Sequence, residues 1–199
     1  MLTGKAMADY AERELNKLNI AVNGQKLKGI FWEANDPQKV IYDEAHPDYA
    51  VDCMTPQKRI DLIEQKYGAK LLGFDYTQGP LKKCDTPQEV AENICSDLKL
   101  FQYNAEKYPH LTAQDIKNYV CHFNKIVNGS AHPRNLQSPQ IDRMMNELEV
   151  MIAYDIPVLA ARQTPEHKAL LAEYADKLPA DLAQKVMAEQ AAAIAAARD

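Results

Sequence analysis

The 199-residue chain has no long apolar run. Its longest apolar tract, Ala191 to Ala197, is almost all alanine and falls far short of the roughly 18 residues that span a bilayer. The N-terminal stretch MLTGKAMADYAERELNKL interleaves charged with apolar residues and lacks the apolar core of a secretory signal. A membrane partner is therefore not expected, and a cytoplasmic location is, with export by a route that needs no signal peptide left open. No two of the four cysteines, Cys53, Cys84, Cys95 and Cys121, stand three positions apart, so neither a zinc knuckle nor a Cys-x-x-Cys redox pair is written here. Positive charge is scarce: 23 Lys and Arg face 28 Asp and Glu, a net of −5. That balance excludes a broad basic surface for nucleic acid or anionic lipid. Glycine is scarce too, at seven residues, and none sits in a phosphate-cradling loop that ends Gly-Lys-Ser/Thr.

What is present is unevenly distributed. Six of the seven glycines precede residue 85. Residues 1–85 carry 12 Lys/Arg and 13 Asp/Glu, and residues 86–199 carry 11 and 15. The expectation is a small α+β part over 1–85, a helical bundle over 86–199, and one continuous core with a loose boundary near residue 85.

In the first part, Met7, Tyr10, Ala11, Leu15 and Leu18 recur at helical spacing and predict an amphipathic helix with this stripe turned inward. Asn23-Gly24 lies between two β-compatible runs and predicts a β-hairpin over NIAVNGQKLKGIFWE. Further strands are expected at Lys39–Asp43 and Ala69–Asp75, with a helix from Thr55-Pro56 to Gly68 between them. The second part reads as four to five helices. Thr86-Pro87-Gln88-Glu89 is a capping box, followed by a stripe of Val90, Ile94, Leu98 and Phe101. Thr112, Ser138-Pro139, Thr164-Pro165 and Pro179 open the others, and Asn128-Gly129 closes one. The expected fold class is α+β, predominantly helical, with a small antiparallel sheet of three to four strands packed against the bundle.

One heptad, Val40-Ile-Tyr-Asp43-Glu44-Ala-His46, resembles the Walker B box of superfamily 2 helicases. That family's carboxylates hold Mg²⁺ and act together with a P-loop. The nearest echo here, Thr3-Gly4-Lys5-Ala6, lacks the hydroxyl residue and the preceding strand. The chain is also about half the length of two RecA-like domains, so the helicase reading is rejected. The chemistry of the segment is considered without that label. Asp43 to Cys53 places Asp43, Glu44, His46, Asp48, Asp52 and Cys53 within eleven residues. Asp43, Glu44 and His46 are the candidate catalytic acid–base groups, and His46, Asp48 and Asp52 the candidate ligands for a divalent metal. The plain alternative is a solvated acidic loop.

Candidate binding residues are Trp32 on the hairpin and His132, Arg134 and Asn135 in the loop between two helices. The plain reading of that loop is a connection with His132 exposed. Met144, Met145 and Met151 share helical spacing and are read as core. Cys121-His122 are adjacent on a helix and point about 100° apart, which disfavours a nucleophile–base pair. Cys84 follows Lys82-Lys83, a weak sign of thiol activation. The order helix, three strands, helix over residues 5–67 matches a double-stranded-RNA-binding domain, but that domain's basic helix start is missing.

The leading expectation is an interaction protein without chemistry or cofactor of its own. Its partner would be another protein, or a second copy joined through the alanine-rich C-terminal helix, and not nucleic acid or membrane. The alternative is a metal-assisted or acid–base hydrolase or transferase built on the Asp43–Cys53 loop.

Overall fold

The helix starts follow the chemistry written for them. Threonine or serine before proline supplies a side-chain oxygen to the unpaired N–H groups of the first turn. The computed structural model describes residues 4–24, 26–40 and 54–196. In it Thr55 accepts from the Lys58 N–H, Ser138 from Ile141, and Thr164 from His167. Thr86 and Thr112 form full capping boxes with Glu89 and Asp115.

Seven α-helices lie among the described residues: α1 Gly4–Asn23, α2 Pro56–Tyr67, α3 Pro87–Asn93, α4 Ala113–Asn128, α5 Pro139–Ala153, α6 Pro165–Tyr174 and α7 Ala180–Ala196. Two 3₁₀ turns, Pro133–Leu136 and Ala160–Arg162, interrupt the second half. Three short strands, β1 Phe31–Asn35, β2 Lys70–Leu71 and β3 Leu98–Gln102, make an antiparallel sheet in the order β1-β3-β2. Lys70 pairs with Gln102 and Leu71 with Phe101. The fold is α+β and mostly helical. No helix among the described residues is long and apolar enough to cross a membrane.

The chain forms two compact units whose sequences interleave. One comprises residues 1–71 and 99–111, the other 72–98 and 112–199. The composition shift near residue 85 falls inside the second. In the first, Ala34, Ile60, Ile63, Ala69 and Phe101 form a buried cluster, flanked by Trp32, Tyr67 and Leu71. In the second, α5 is central and packs against α4, α6 and the first 3₁₀ turn. Ile141, Met144, Met145, Leu148 and Met151 are all buried, so the methionines are core as read.

Four local expectations are corrected. Asn23-Gly24 is not a hairpin turn: α1 runs through Asn23, and Gly24 stops it at φ +66° with its N–H on the Ile20 carbonyl. A helix stop and a type I′ turn both need positive φ, so one dipeptide serves either. Lys39 and Val40 lie in a turn whose N–H groups reach the Asp36 carbonyl, not in a strand; residues 41–43 lie outside the described residues. The strand expected over Ala69–Asp75 is only Lys70–Leu71, with Leu72 bridging to Leu159. The stripe Val90–Phe101 is half helix and half strand. α3 ends at Asn93, Cys95 bridges to Gln78, and Leu98–Gln102 becomes the central strand.

Candidate functional site

In α1 the polar side of the helix faces in. Glu12 is only 3% exposed, accepts from the Tyr108 hydroxyl and pairs with Lys107. Asp9 accepts from the Tyr103 hydroxyl at 2.9 Å, and Asn16 Oδ1 accepts from the Leu27 N–H at 2.9 Å. Burial, the Asp9 hydrogen bond and nearby carboxylate charge push Tyr103 up to about 12. Burial and the bond to Glu12 likewise raise Tyr108. These tyrosines therefore stay neutral donors across the physiological range.

The consequence is an inside-out helix. Tyr10, Leu15 and Leu18, expected to face the core, are 56%, 47% and 61% exposed. Beside this stripe runs a largely apolar groove of about 120 Å³, lined by Ala8, Ala11, Leu15, Ile30, Trp32 and Tyr103, with Glu12 at its side. Trp32 is half-buried there, its ring 4.6 Å from Tyr67 edge-on and 5.4 Å from Tyr103. Phe31 is half-buried as well, and of the two rings Trp32 packs against the buried cluster.

The second unit holds a belt of buried polar groups around α5. Lys117 on α4 is buried, with Nζ 2.6 Å from Glu149 of α5 and 2.6 Å from Glu189 of α7. Burial pulls its pKa down, but hydrogen bonds and charge from both carboxylates outweigh that and leave it above the ordinary lysine value. Lys117 stays charged. Asn146 takes the Arg134 guanidinium on Oδ1 at 2.8 Å and donates to the Ala175 carbonyl at 2.8 Å. Glu147 accepts the Asp75 N–H at 2.6 Å. Burial raises Glu147 to about 7, with Asp75 and Asp176 adding repulsion that Arg143 and the Asp75 N–H only partly offset.

The loop residues singled out from sequence belong to this belt. His132 is buried rather than exposed, because its Nδ1 caps the 3₁₀ turn by accepting the Arg134 N–H at 3.2 Å. Burial, with the charges of Arg134 and Lys117, lowers it to about 4, so it is neutral at pH 7. Arg134 spends its guanidinium on Asn146 and Asp142, and Asn135 accepts from Gln190 of α7 at 2.8 Å. An open cleft of about 380 Å³ adjoins Arg134, Asp142, Asn146 and Met187. Of the two cations that line it, Arg134 is already paired with Asp142 and Asn146, and Lys177 is exposed. Burial also raises the Cys121 thiol, the opposite of what a nucleophile requires. His122 points away into solvent. A neutral, capping histidine, a protonated thiol and a charged lysine held between two carboxylates make a structural network rather than an acid–base relay.

The candidate acid–base and metal residues Asp43, Glu44, His46, Asp48 and Asp52 lie outside the described residues. Among the described residues, no group of three or more His, Cys, Asp or Glu side chains is placed to hold a metal ion. Cys84, Cys95 and Cys121 are free thiols. Sequence reasoning missed Glu12, Lys117 and Glu149. For Glu12 the helical pattern pointed the other way, since it lies on the polar side of α1. No protein-family model, curated protein or solved structure matches this chain.

Proposed function

We propose that this is an interaction protein and that the outer face of α1, with the groove beside Trp32, is its binding surface. The observation that carries this reading is the orientation of α1. A helix normally buries its apolar stripe and wets its polar one. Here Asp9 and Glu12 are taken by Tyr103, Tyr108 and Lys107, and Tyr10, Leu15 and Leu18 are left to solvent together with Arg13 and Lys17. Large apolar side chains exposed together on one helix suit a surface that another molecule covers. The groove gives it shape: half-buried aromatics beside small alanines suit the insertion of an aliphatic side chain.

The alanine-rich α7 is a weaker candidate for the same role. Its Leu182 and Val186 are buried, and Glu189 and Gln190 are bonded to Lys117 and Asn135. Only Met187 offers a large exposed apolar side chain there. A photo-crosslinking amino acid placed at position 18, in cells making the protein at its native level, tests the proposal. We expect a discrete crosslinked species from position 18 and none from exposed Gln114 on α4. No discrete species from position 18 would remove α1 as the binding surface.

A further inference from the structure

We infer that Arg143 is a swivel: it leaves Asp176 for Glu147 when Glu147 gives up its proton, and so sets the charge of the open cleft that Asp176 lines. Charges are unequal at this point of the second unit. Three carboxylates converge on one guanidinium: Asp75 from the chain after β2, Glu147 from α5 and Asp176 from the turn between α6 and α7. Arg143 stands on α5 about one turn before Glu147. Its Nη1 donates to Asp176 at 3.1 Å. Its Nε lies 3.5 Å from Asp75 and 3.9 Å from Glu147 Oε1, is buried, and makes no hydrogen bond to either. A buried donor without a partner is costly, so this N–H is poised between two acceptors and settled on neither.

The three acids are not equivalent. The Glu147 side chain is 7% exposed, against 63% for Asp75 and 81% for Asp176. Water solvates the outer two whether or not Arg143 attends them, and an exposed ion pair is worth little. A charge on Glu147 has no such solvent, and a buried carboxylate needs a cation or keeps its proton. Its Oε2 accepts the Asp75 N–H at 2.6 Å, which leaves Oε1 as the side still to be served. Among the described residues, the charged groups that face it are Asp75, Arg143 and Asp176, two acids and one base. Burial first, then repulsion from the two acids, outweighs the Asp75 N–H and Arg143 and carries its pKa to about 7. Glu147 therefore changes charge around neutral pH.

Loss of that proton redirects Arg143. The two residues are four apart on one helix, where side chains are neighbours, so the pair closes with no change of backbone. A movement of Nε by about 1 Å toward Oε1 gives the orphaned donor its partner and the new charge its cation. Asp75 stays in place, because its own N–H is held by Glu147 Oε2. Asp176 is the partner given up: it is the most exposed of the three and holds Arg143 through Nη1 alone. The turn that carries it remains anchored, since Asn146 donates to the Ala175 carbonyl at 2.8 Å. The freed carboxylate belongs to the wall of the cleft of about 380 Å³, beside Lys177. Below neutral pH Arg143 cancels the Asp176 charge; above it, the cleft has that charge. The cleft therefore favours a cationic group more strongly above pH 7 than below it.

Crystals of the full chain held at about pH 5.5 and about pH 8.5 read the swivel directly. We expect Arg143 within hydrogen-bond distance of Asp176 at the lower pH. At the higher pH we expect it on Glu147 Oε1, with Asp176 released. In solution, carbon-detected NMR between about pH 5 and pH 9 should show the Glu147 carboxyl titrating near neutrality, with the Arg143 guanidinium and the Asp176 carboxyl following at the same midpoint. In Glu147→Gln the Arg143 and Asp176 signals should stay flat over that range. The same Arg143 partners at both pH values would overturn the swivel. So would a Glu147 carboxyl that does not titrate between pH 5 and pH 9, or Arg143 signals that still move in Glu147→Gln.

Discussion

Glu147 is the residue whose protonation the fold changes most usefully. Its carboxyl has an ordinary value of 4.5, and burial raises it to about 7. Between those two values the folded chain holds a proton that the unfolded chain has released. Stability therefore declines as pH rises from 4.5 to 7, and the full cost is present above 7. The cost is bounded at about 3 kcal/mol by the size of the shift. Glu147→Gln keeps an oxygen for the Asp75 N–H and abolishes the titration. Its stability relative to the parent chain should rise between pH 4.5 and pH 8, measured as the difference in urea midpoints. His132 behaves differently. Its depressed value near 4 matters only in acid, and at pH 7 it is a neutral cap for the Arg134 N–H. From sequence, His132 and Arg134 stood out because they sit in a loop with other polar residues. That loop is in fact closed over by its own hydrogen bonds, a fact that spacing alone does not reveal.

At the scale of elements, Lys117 ties three helices together. It sits on α4 and reaches Glu149 on α5 and Glu189 on α7. Lys117→Met keeps the aliphatic stem but leaves Glu149 buried without its counter-charge. Breaking a buried pair from one side costs about 3–5 kcal/mol. Adding Glu149→Leu should restore much of that loss, and urea denaturation of the single and double variants measures both. The helix starts were legible because Thr-Pro and Ser-Pro act locally, through side chains three residues from the N–H groups they satisfy. β3 was not legible. Val90, Ile94, Leu98 and Phe101 fit a helical stripe, and a short apolar run does not say which period it serves. Its strand state comes from pairing with β2, about thirty residues earlier. Asn23-Gly24 misled for a related reason, since positive φ is shared by two devices.

For the whole molecule, the sequence carried the class correctly: α+β, mostly helical, with a small antiparallel sheet. It did not carry the interleaving of the two units, because that depends on which distant segments meet. Nor did it carry the sense of α1. The apolar stripe of Tyr10, Leu15 and Leu18 follows the helical period correctly, yet it faces out. The side that faces in is decided by Tyr103 and Tyr108, more than ninety residues away, which claim Asp9 and Glu12. An inverted helix is a stability concession that makes sense where a partner later covers the stripe. The metal and acid–base possibilities of Asp43–Cys53 rest on residues outside the described part and gain nothing from the rest of the molecule.

The inversion of α1 is tested most directly by the equilibrium unfolding of Leu15→Gln/Leu18→Gln in urea, at protein concentrations near 1 μM where self-association is negligible. An outward-facing stripe predicts a loss of less than about 1 kcal/mol, as for ordinary surface substitutions. A loss of roughly 4 kcal/mol or more, the cost of two core leucines, would place the stripe in the core and contradict the binding surface.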